Sequence, residues 1–386
     1  MKILIITHNF PPIEGGISTH TYEMAKNFTE QGHRVLVAAP LIRGTVRLDQ
    51  KQSFRIFHFP LIKQGAWLRF LVTFGYSLIA FLKFRPAVIY TTHWANAGLV
   101  ATLISYLGRL PHVLAVNGTE INFSPSQKKL YALFALVARR AAKIIALGSF
   151  QVFLLKKLNI PDGKIQMVPE GVNPDRFVQR DEDLIGVLRQ KYQINQQKVL
   201  LTVGRLVPRK GHQKVIFALK KLLLEYHNVC YLIVGRGPEE TRLKKITADL
   251  KLDQQVVFTG FVSEKEVISL YQLADIFVMP NNIVAGDLEG FGIVFAEANA
   301  CAKPVIGGNS GGVGDIIQDG VNGYLVNPDS VVEIKQRLLT LLTNENLAKQ
   351  MGLCGLAMVK NQFNYNRIAR LVLEELTKTV RNHGHI

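Results

Sequence analysis

The stretch EGFGIVFAE, residues 289–297, places two carboxylates, Glu289 and Glu297, around a Gly-aromatic-Gly turn that runs into an apolar segment. Carboxylates accept hydrogen bonds from vicinal hydroxyls, so an E-x7-E pair of this kind suits the diols of a sugar. Buried carboxylates need such donors to offset their desolvation. Gly290 and Gly292 leave backbone N–H groups uncovered where the helical segment begins, a polarity that attracts a phosphate or a hydroxyl. Taken alone, the same stretch also reads as a helix N-terminus with Glu289 answering the helix dipole.

Two further stretches carry chemistry suited to phosphate. In TVGRLVPRKG, Arg205 leaves the end of an apolar run and Lys210 follows in a turn made by Pro208 and Gly211. Two fixed cations there suit a diphosphate, although a solvated loop holding two ordinary basic residues has the same letters. In THNFPPIEGGISTH, Gly15 and Gly16 precede a helix, where a backbone without side chains can approach a phosphate. No GK[ST] follows, so this is not a Walker loop. GRGPEE, at Arg236, lacks the third glycine and the following ribose carboxylate of a dinucleotide fingerprint, which excludes a NAD role.

The elements that position these residues alternate apolar, β-branched runs with helical patterns, the mark of a parallel α/β architecture. KILIIT, RVLVAAP, AVIYTT, HVLAVNG, KIIALG and IQMVPEG read as strands in the first half. KVLLTVG, VCYLIVG, VVFTGF, IFVMP, PVIGG and GYLV read as strands in the second. Residues 18–30 and 127–142 read as helices, and NYNRIARLVLEELTKTVRNH as a terminal amphipathic helix. The polar run NPDRFVQRDEDLIGVLRQKYQINQQK between the halves reads as a linker with a short helix. Two doubly wound domains imply a crevice between them, since ligands bind at the carboxyl ends of the strands.

With 386 residues and 48% hydrophobic composition, the chain accommodates about two domains. The three cysteines, Cys230, Cys301 and Cys354, have no ligand spacing, which points to a reducing compartment and away from zinc. The apolar start MKILIITHNF is too short for a signal peptide and reads as a buried strand. The greasiest segment, residues 67–82, contains Arg69 and falls short of the ~20 residues that span a bilayer, so no transmembrane helix is expected.

Residues 1–170 hold 20 basic and 7 acidic side chains, so +13 of the net +17 sits there, and residues 50–119 contain no carboxylate. Such a surplus calls for an anionic partner. Nucleic-acid signatures are absent. KQGAWLRFLVTFGYSLIAFLKFR and KKLYALFALVARRAAK each mix cations with aromatic and aliphatic residues, as interfacial helices do. Core helices with a basic edge share that pattern.

Together these motifs resemble the retaining glycosyltransferases of family 4, which have the GT-B fold. EGFGIVFAE matches their E-x7-E signature, GRLVPRKG their arginine–lysine pair and PPIEGGISTH their glycine loop. KPVIGGNSGGVGDIIQDGVNGYLV is similar to the stretch beyond the second glutamate, so the likeness covers nearly the whole chain. NNIVAGDLEGFGIVFAEANA looks most like the branch that uses GDP-mannose on phosphatidylinositol mannosides.

The resemblance implies an N-terminal acceptor-binding domain over residues 1–175 and a C-terminal nucleotide-sugar domain over 196–365, both Rossmann-like. Residues 366–386 would form a helix crossing back to the first domain. Arg205 and Lys210 would hold the leaving diphosphate, with Gly15 and Gly16 approaching it from the other domain. Glu297 would hold the ribose, and Arg236 and Val262 would lie at the base. Glu289 would take the hexose hydroxyls, aided by the backbone from Gly290 through Phe291 and Gly292 to Ile293. Asn117 stands where family members commonly carry a histidine before the glycine; an amide donates and accepts but cannot carry a proton charge. Glu120 keeps the acidic position nearby and would orient the acceptor, while His93 ends another strand and either lines the same crevice or caps a loop. No DxD pair follows a strand, so the cations would replace a metal, and no cofactor beyond the donor is implied. The donor would be GDP-mannose, with a UDP-sugar as the other possibility, and the acceptor a lipid or glycan. The enzyme would be peripheral at the cytoplasmic face of an anionic membrane. A nucleotide-sugar 2-epimerase of related fold and a non-enzymatic membrane binder are the rival readings.

Overall fold

The computed structural model describes residues 1–384 apart from residues 14, 43–51, 64, 118–120 and 122–126. The chain forms two compact units, one comprising Met1–Gly171 with Tyr365–Ile386 and the other Val172–Asn364. The described residues of the first unit hold seven strands: β1 (Lys2–Ile6), β2 (Arg34–Leu41), β3 (Arg55–Pro60), β4 (Val88–Thr91), β5 (His112–Val116), β6 (Lys143–Ala146) and β7 (Ile165–Met167). Their order is β3-β2-β1-β4-β5-β6-β7, and every pairing is parallel. The second unit holds β8 (Lys198–Val203), β9 (Val229–Val234), β10 (Val256–Gly260), β11 (Ile276–Met279), β12 (Val305–Gly308) and β13 (Gly323–Val326), again parallel, in the order β10-β9-β8-β11-β12-β13. The expected α/β architecture is borne out.

Most of the strands are nearly continuous apolar runs because helices cover both faces of a parallel sheet. Alternation sends Ile3 and Ile5 into one core layer and Leu4 and Ile6 into the other. In the second sheet Val199 and Leu201 face one layer and Leu200 the opposite one. Strand order reverses between β1 and β4 in the first sheet and between β8 and β11 in the second. In sheets of this kind ligands bind beside such switch points, at the strands' carboxyl ends.

The terminal helix Tyr365–His383 belongs to the first unit. Ile368, Val372 and Leu376 are fully buried in the same core layer as β1 and β4. Its first residue anchors it: the Tyr365 hydroxyl donates to Glu170 Oε1 at 3.2 Å, and the fully buried His20 ring bonds the same oxygen at 2.6 Å. In the second unit, Phe177, Ile185 and Leu188 of the polar run read as a linker enter the core.

Two features differ from expectation. Arg55–Pro60 is a strand that the sequence reading passed over. It is the outermost strand of the first sheet among the described residues and mostly half-exposed, so it lacks the apolar run of its neighbours. The greasy segment is a 19-residue helix, Ala66–Phe84, long and apolar enough in length and composition to cross a membrane, contrary to the expectation from its length. Thr73, Ser77 and Ala80 turn inward, and Phe70, Phe74 and Phe81 pack against the core around β1 and β4. Trp67 (79% exposed), Leu71 (58%) and Leu82 (60%) point outward.

Candidate active site

The carboxyl ends of β8 and β11 carry a cluster of charged side chains that includes Lys210 and Glu289. After β8 the chain turns at Gly204, and Leu206 N–H bonds Arg236 O at 3.0 Å, which ties this loop to the one after β9. A short 3-10 turn, Pro208–Lys210, then closes on Gly211, whose φ of +73° is left-handed. A Cβ at Gly211 would lie 2.2 Å from Pro280 O, so only glycine lets this turn press against the end of β11. The loop after β11 is fixed in the same way. Asn282 N–H donates to Arg209 O at 2.8 Å, and Gly312 N–H donates to Glu289 O at 3.1 Å. A Cβ on Gly312 would meet Gly290 O at 2.0 Å. The glycine-rich run after β12 is thus a backbone platform beneath EGFG.

On this platform Lys210 and Glu289 meet. The Lys210 ammonium, only 8% exposed, lies 2.6 Å from Glu289 Oε2. The Arg209 guanidinium donates to the same oxygen through Nη1, and through Nε to Asp287 Oδ2 at 2.9 Å. Burial pushes the Glu289 carboxyl up, but the two cations and their hydrogen bonds outweigh it and hold the group below the ordinary glutamate range. Glu297 lies on the helix that follows, Ile293–Ala300, capped by Gly292 at φ +84°. Its Oε2 accepts from the Tyr271 hydroxyl at 2.8 Å. Burial raises the Glu297 carboxyl, and that hydrogen bond offsets the effect only in part.

The other expected residues of this domain ring the same sheet edge. Arg205 is exposed just past β8. Arg236 is exposed past β9, with its side chain beside Gly260. Val262 turns into the core and leaves its neighbour Phe261 64% exposed. The Phe291 ring is buried against Phe363, so what it offers a ligand is backbone, and Gly290 and Ile293 flank that turn.

In the first unit the expected residues lie at the carboxyl ends of β1, β4 and β5. Gly15, at φ +136°, caps the helix Gly16–Glu30, and its missing Cβ faces open space. His93 accepts from Ala95 N–H at 3.2 Å through Nδ1, a loop-capping contact, and burial lowers its pKa. Asn117 Nδ2 donates to Thr92 O. Glu120 lies outside the described residues.

Sequence reasoning missed Arg209, Asp287 and Tyr271, and in the first unit His8. The His8 Nε2 bonds Thr73 Oγ1 at 3.0 Å and Asn96 Nδ2 at 3.2 Å; burial, with the charges of His93 and Arg69, lowers its pKa to about 4. Arg209 adjoins Lys210, and spacing alone cannot say that both point at one carboxylate. Tyr271 reads as one more core aromatic. Among the described residues no group of three His, Cys, Asp or Glu side chains is placed to hold a metal ion.

What the arrangement offers is a buried cation beside an ionised carboxylate, with a second carboxylate on the next helix, all at one switch point. The profile described as Glycosyltransferase Family 4 matches residues 14–176, and that described as Glycosyl transferases group 1 matches residues 186–354. The GDP-mannose-dependent alpha-(1-6)-phosphatidylinositol monomannoside mannosyltransferase of Mycobacterium tuberculosis is 29% identical, over 95% of this chain and 96% of that protein. A GDP-mannose-dependent monoacylated alpha-(1-6)-phosphatidylinositol monomannoside mannosyltransferase of Corynebacterium glutamicum is 25% identical, over 94% of each. In fold, the Anabaena protein Alr3699/HepE, crystallised with UDP, superposes with a TM-score of 0.81 over 98% of this chain and 100% of its own, at 21% identity. The chain belongs to the glycosyltransferases of family 4 and has their GT-B fold.

Proposed function

We propose that the protein transfers a hexose, mannose in first place, from GDP-mannose to a lipid-linked or glycan acceptor, with retention of anomeric configuration and without a metal. The observation that carries this reading is the 2.6 Å contact of Lys210 with Glu289 at the β8/β11 switch point, with Glu297 on the helix that follows. Departure of a sugar builds negative charge on the diphosphate and positive character on the ring. Lys210 and Arg205 answer the first, each such contact being worth ~3 kcal/mol. The Glu289 carboxylate, held ionised, accepts from the hexose hydroxyls, and the free side of Glu297 accepts from the ribose diol. The acceptor hydroxyl attacks from the face the diphosphate leaves, and a departing phosphate oxygen takes its proton, so no protein nucleophile is required. The named relatives support the choice of GDP-mannose and of a glycolipid acceptor. The basic first domain and the outward apolar residues of Ala66–Phe84 support a peripheral site on the anionic cytoplasmic face of a membrane.

Melting the protein with GDP-mannose, UDP-glucose, UDP-N-acetylglucosamine and the free diphosphates tests the donor. GDP-mannose should raise the melting temperature most, EDTA should leave turnover intact, and Glu297→Ala should remove the stabilisation. Equal shifts with all donors, or loss of turnover in EDTA, would refute the corresponding part.

A further inference from the structure

Two cations share one carboxylate oxygen at this site, and the donor has a use for only one of them. Lys210 is almost fully buried and packs across the end of β8, with its Cε 3.6 Å from the position a Gly204 Cβ would take. Arg209 is 20% exposed and held from behind by Asp287, itself 55% exposed and on the same loop as Glu289. The Asn282 N–H fixes the Arg209 carbonyl, so its backbone and side chain are both tied to the β11 loop. We propose that Arg209 is a positioning residue for the transfer: it is the partner Glu289 keeps when the donor diphosphate draws Lys210 away, and it keeps that carboxylate aimed at the hexose. This rests on the assignment of Glu289 to the hexose and Lys210 to the diphosphate.

The reasoning is electrostatic. A carboxylate buried at this depth stays ionised only beside compensating charge. The charged groups facing Glu289 are Lys210 and Arg209, both from the turn after β8, with Asp287 acting through Arg209. Lys210 also faces Glu297 and the buried His212, whose pKa it helps burial to lower to about 4. Once a diphosphate engages Lys210, only the guanidinium remains. Its planar fork reaches Asp287 and Glu289 together, which an ammonium at the same place cannot do. Without Arg209, donor binding would leave Glu289 uncompensated, so it would take up a proton and lose acceptor capacity towards the sugar hydroxyls.

The test isolates the hexose contact as the ratio of GDP to GDP-mannose dissociation constants, measured by calorimetry at pH 5.5 and 8.0. Any change in phosphate binding cancels in that ratio. In the native protein the ratio should favour GDP-mannose at both pH values. Arg209→Ala should lose roughly tenfold of it at pH 5.5 and recover most of it at pH 8.0, as expected for a carboxyl that is almost wholly protonated at the lower pH and ionised at the higher. Arg209→Lys, which restores a charge but not the fork, should fall between. A ratio in Arg209→Ala equal to the native one at both pH values, or lowered equally at both, overturns the proposal. A native protein with no preference for GDP-mannose over GDP overturns the underlying assignment as well, and that outcome is read before any variant is made.

Discussion

Glu289 and Glu297 are both largely but not fully covered, yet their surroundings drive them in opposite directions. Glu289 has two cations, and its carboxyl lies below the ordinary range, so it contributes stability at any pH above the unfolded value. That contribution is lost as pH falls through its lowered folded value. Glu297 has one phenol, and its carboxyl lies above the ordinary range; its ionised form costs stability at neutral pH, and the cost is relieved as pH falls through the raised value. The two neutral isosteres should therefore part company. Glu289→Gln strands Lys210 and Arg209 and should destabilise the unliganded protein by about 2 kcal/mol. Glu297→Gln removes a desolvated charge and should leave the stability equal or raise it, by on the order of 1 kcal/mol, while weakening the protein's grip on a nucleotide sugar. Melting at pH 7 with and without donor reads both effects, and a loss of unliganded stability in Glu297→Gln would refute the contrast. A carboxylate that costs stability in the resting state suits the diol-binding role proposed for Glu297.

At the scale of elements, the site is backbone pressed on backbone. Gly312 lies under Gly290, Gly311 under Glu289 O, and Gly211 against Pro280 O, each with no room for a Cβ. Gly312→Ala would put a methyl 2.0 Å from the Gly290 oxygen and must push EGFG off its platform. The expected result is a loss of 2 kcal/mol or more, roughly, with donor binding falling further than stability alone explains. Gly314→Ala, two residues beyond Gly312 and facing open space, is the control and should be nearly silent. These contacts also explain what the sequence made legible. Strands buried on both faces are continuous apolar runs, so eleven of them plus β7 could be read directly, and the loops at their carboxyl ends followed. β3 could not, because Arg55, His58 and Pro60 break its apolar run and only Phe59 is fully buried. The length of Ala66–Phe84 was underestimated because Ala66, Lys83 and Phe84 belong to the helix although the greasiest letters stop short of them. EGFG and PRKG stood out as motifs, but their joining through Arg209 depends on two loops that are 80 residues apart in sequence meeting at one switch point. Tyr271 lies still further from any signal, since nothing in VISLYQLADIF distinguishes a core tyrosine from one that holds a carboxylate.

For the molecule as a whole, charge is divided unevenly between the two units, and that asymmetry has a use in an enzyme proposed to meet its acceptor at a membrane. Residues 1–170 carry +13 of the net +17, and the carboxylate-free stretch from 50 to 119 includes the helix whose outer face shows Trp67, Leu68, Leu71, Ile79 and Leu82. Lys63 precedes this helix, and Lys83 and Arg85 close it. Cations near an anionic leaflet contribute about 1 kcal/mol each, an attraction that fades as salt shortens the Debye length to ~8 Å at physiological strength. Apolar side chains that enter the interface add a part that salt does not screen. Sedimentation with vesicles containing phosphatidylglycerol should therefore show strong binding at low salt and a residue of binding at high salt, with little binding to neutral vesicles. Trp67→Ser combined with Leu71→Ser should abolish the salt-resistant part and leave the melting temperature unchanged, because both side chains already face solvent. Equal binding to neutral and anionic vesicles would remove the charge from the argument, and an unaltered high-salt fraction in the double variant would remove this helix from it.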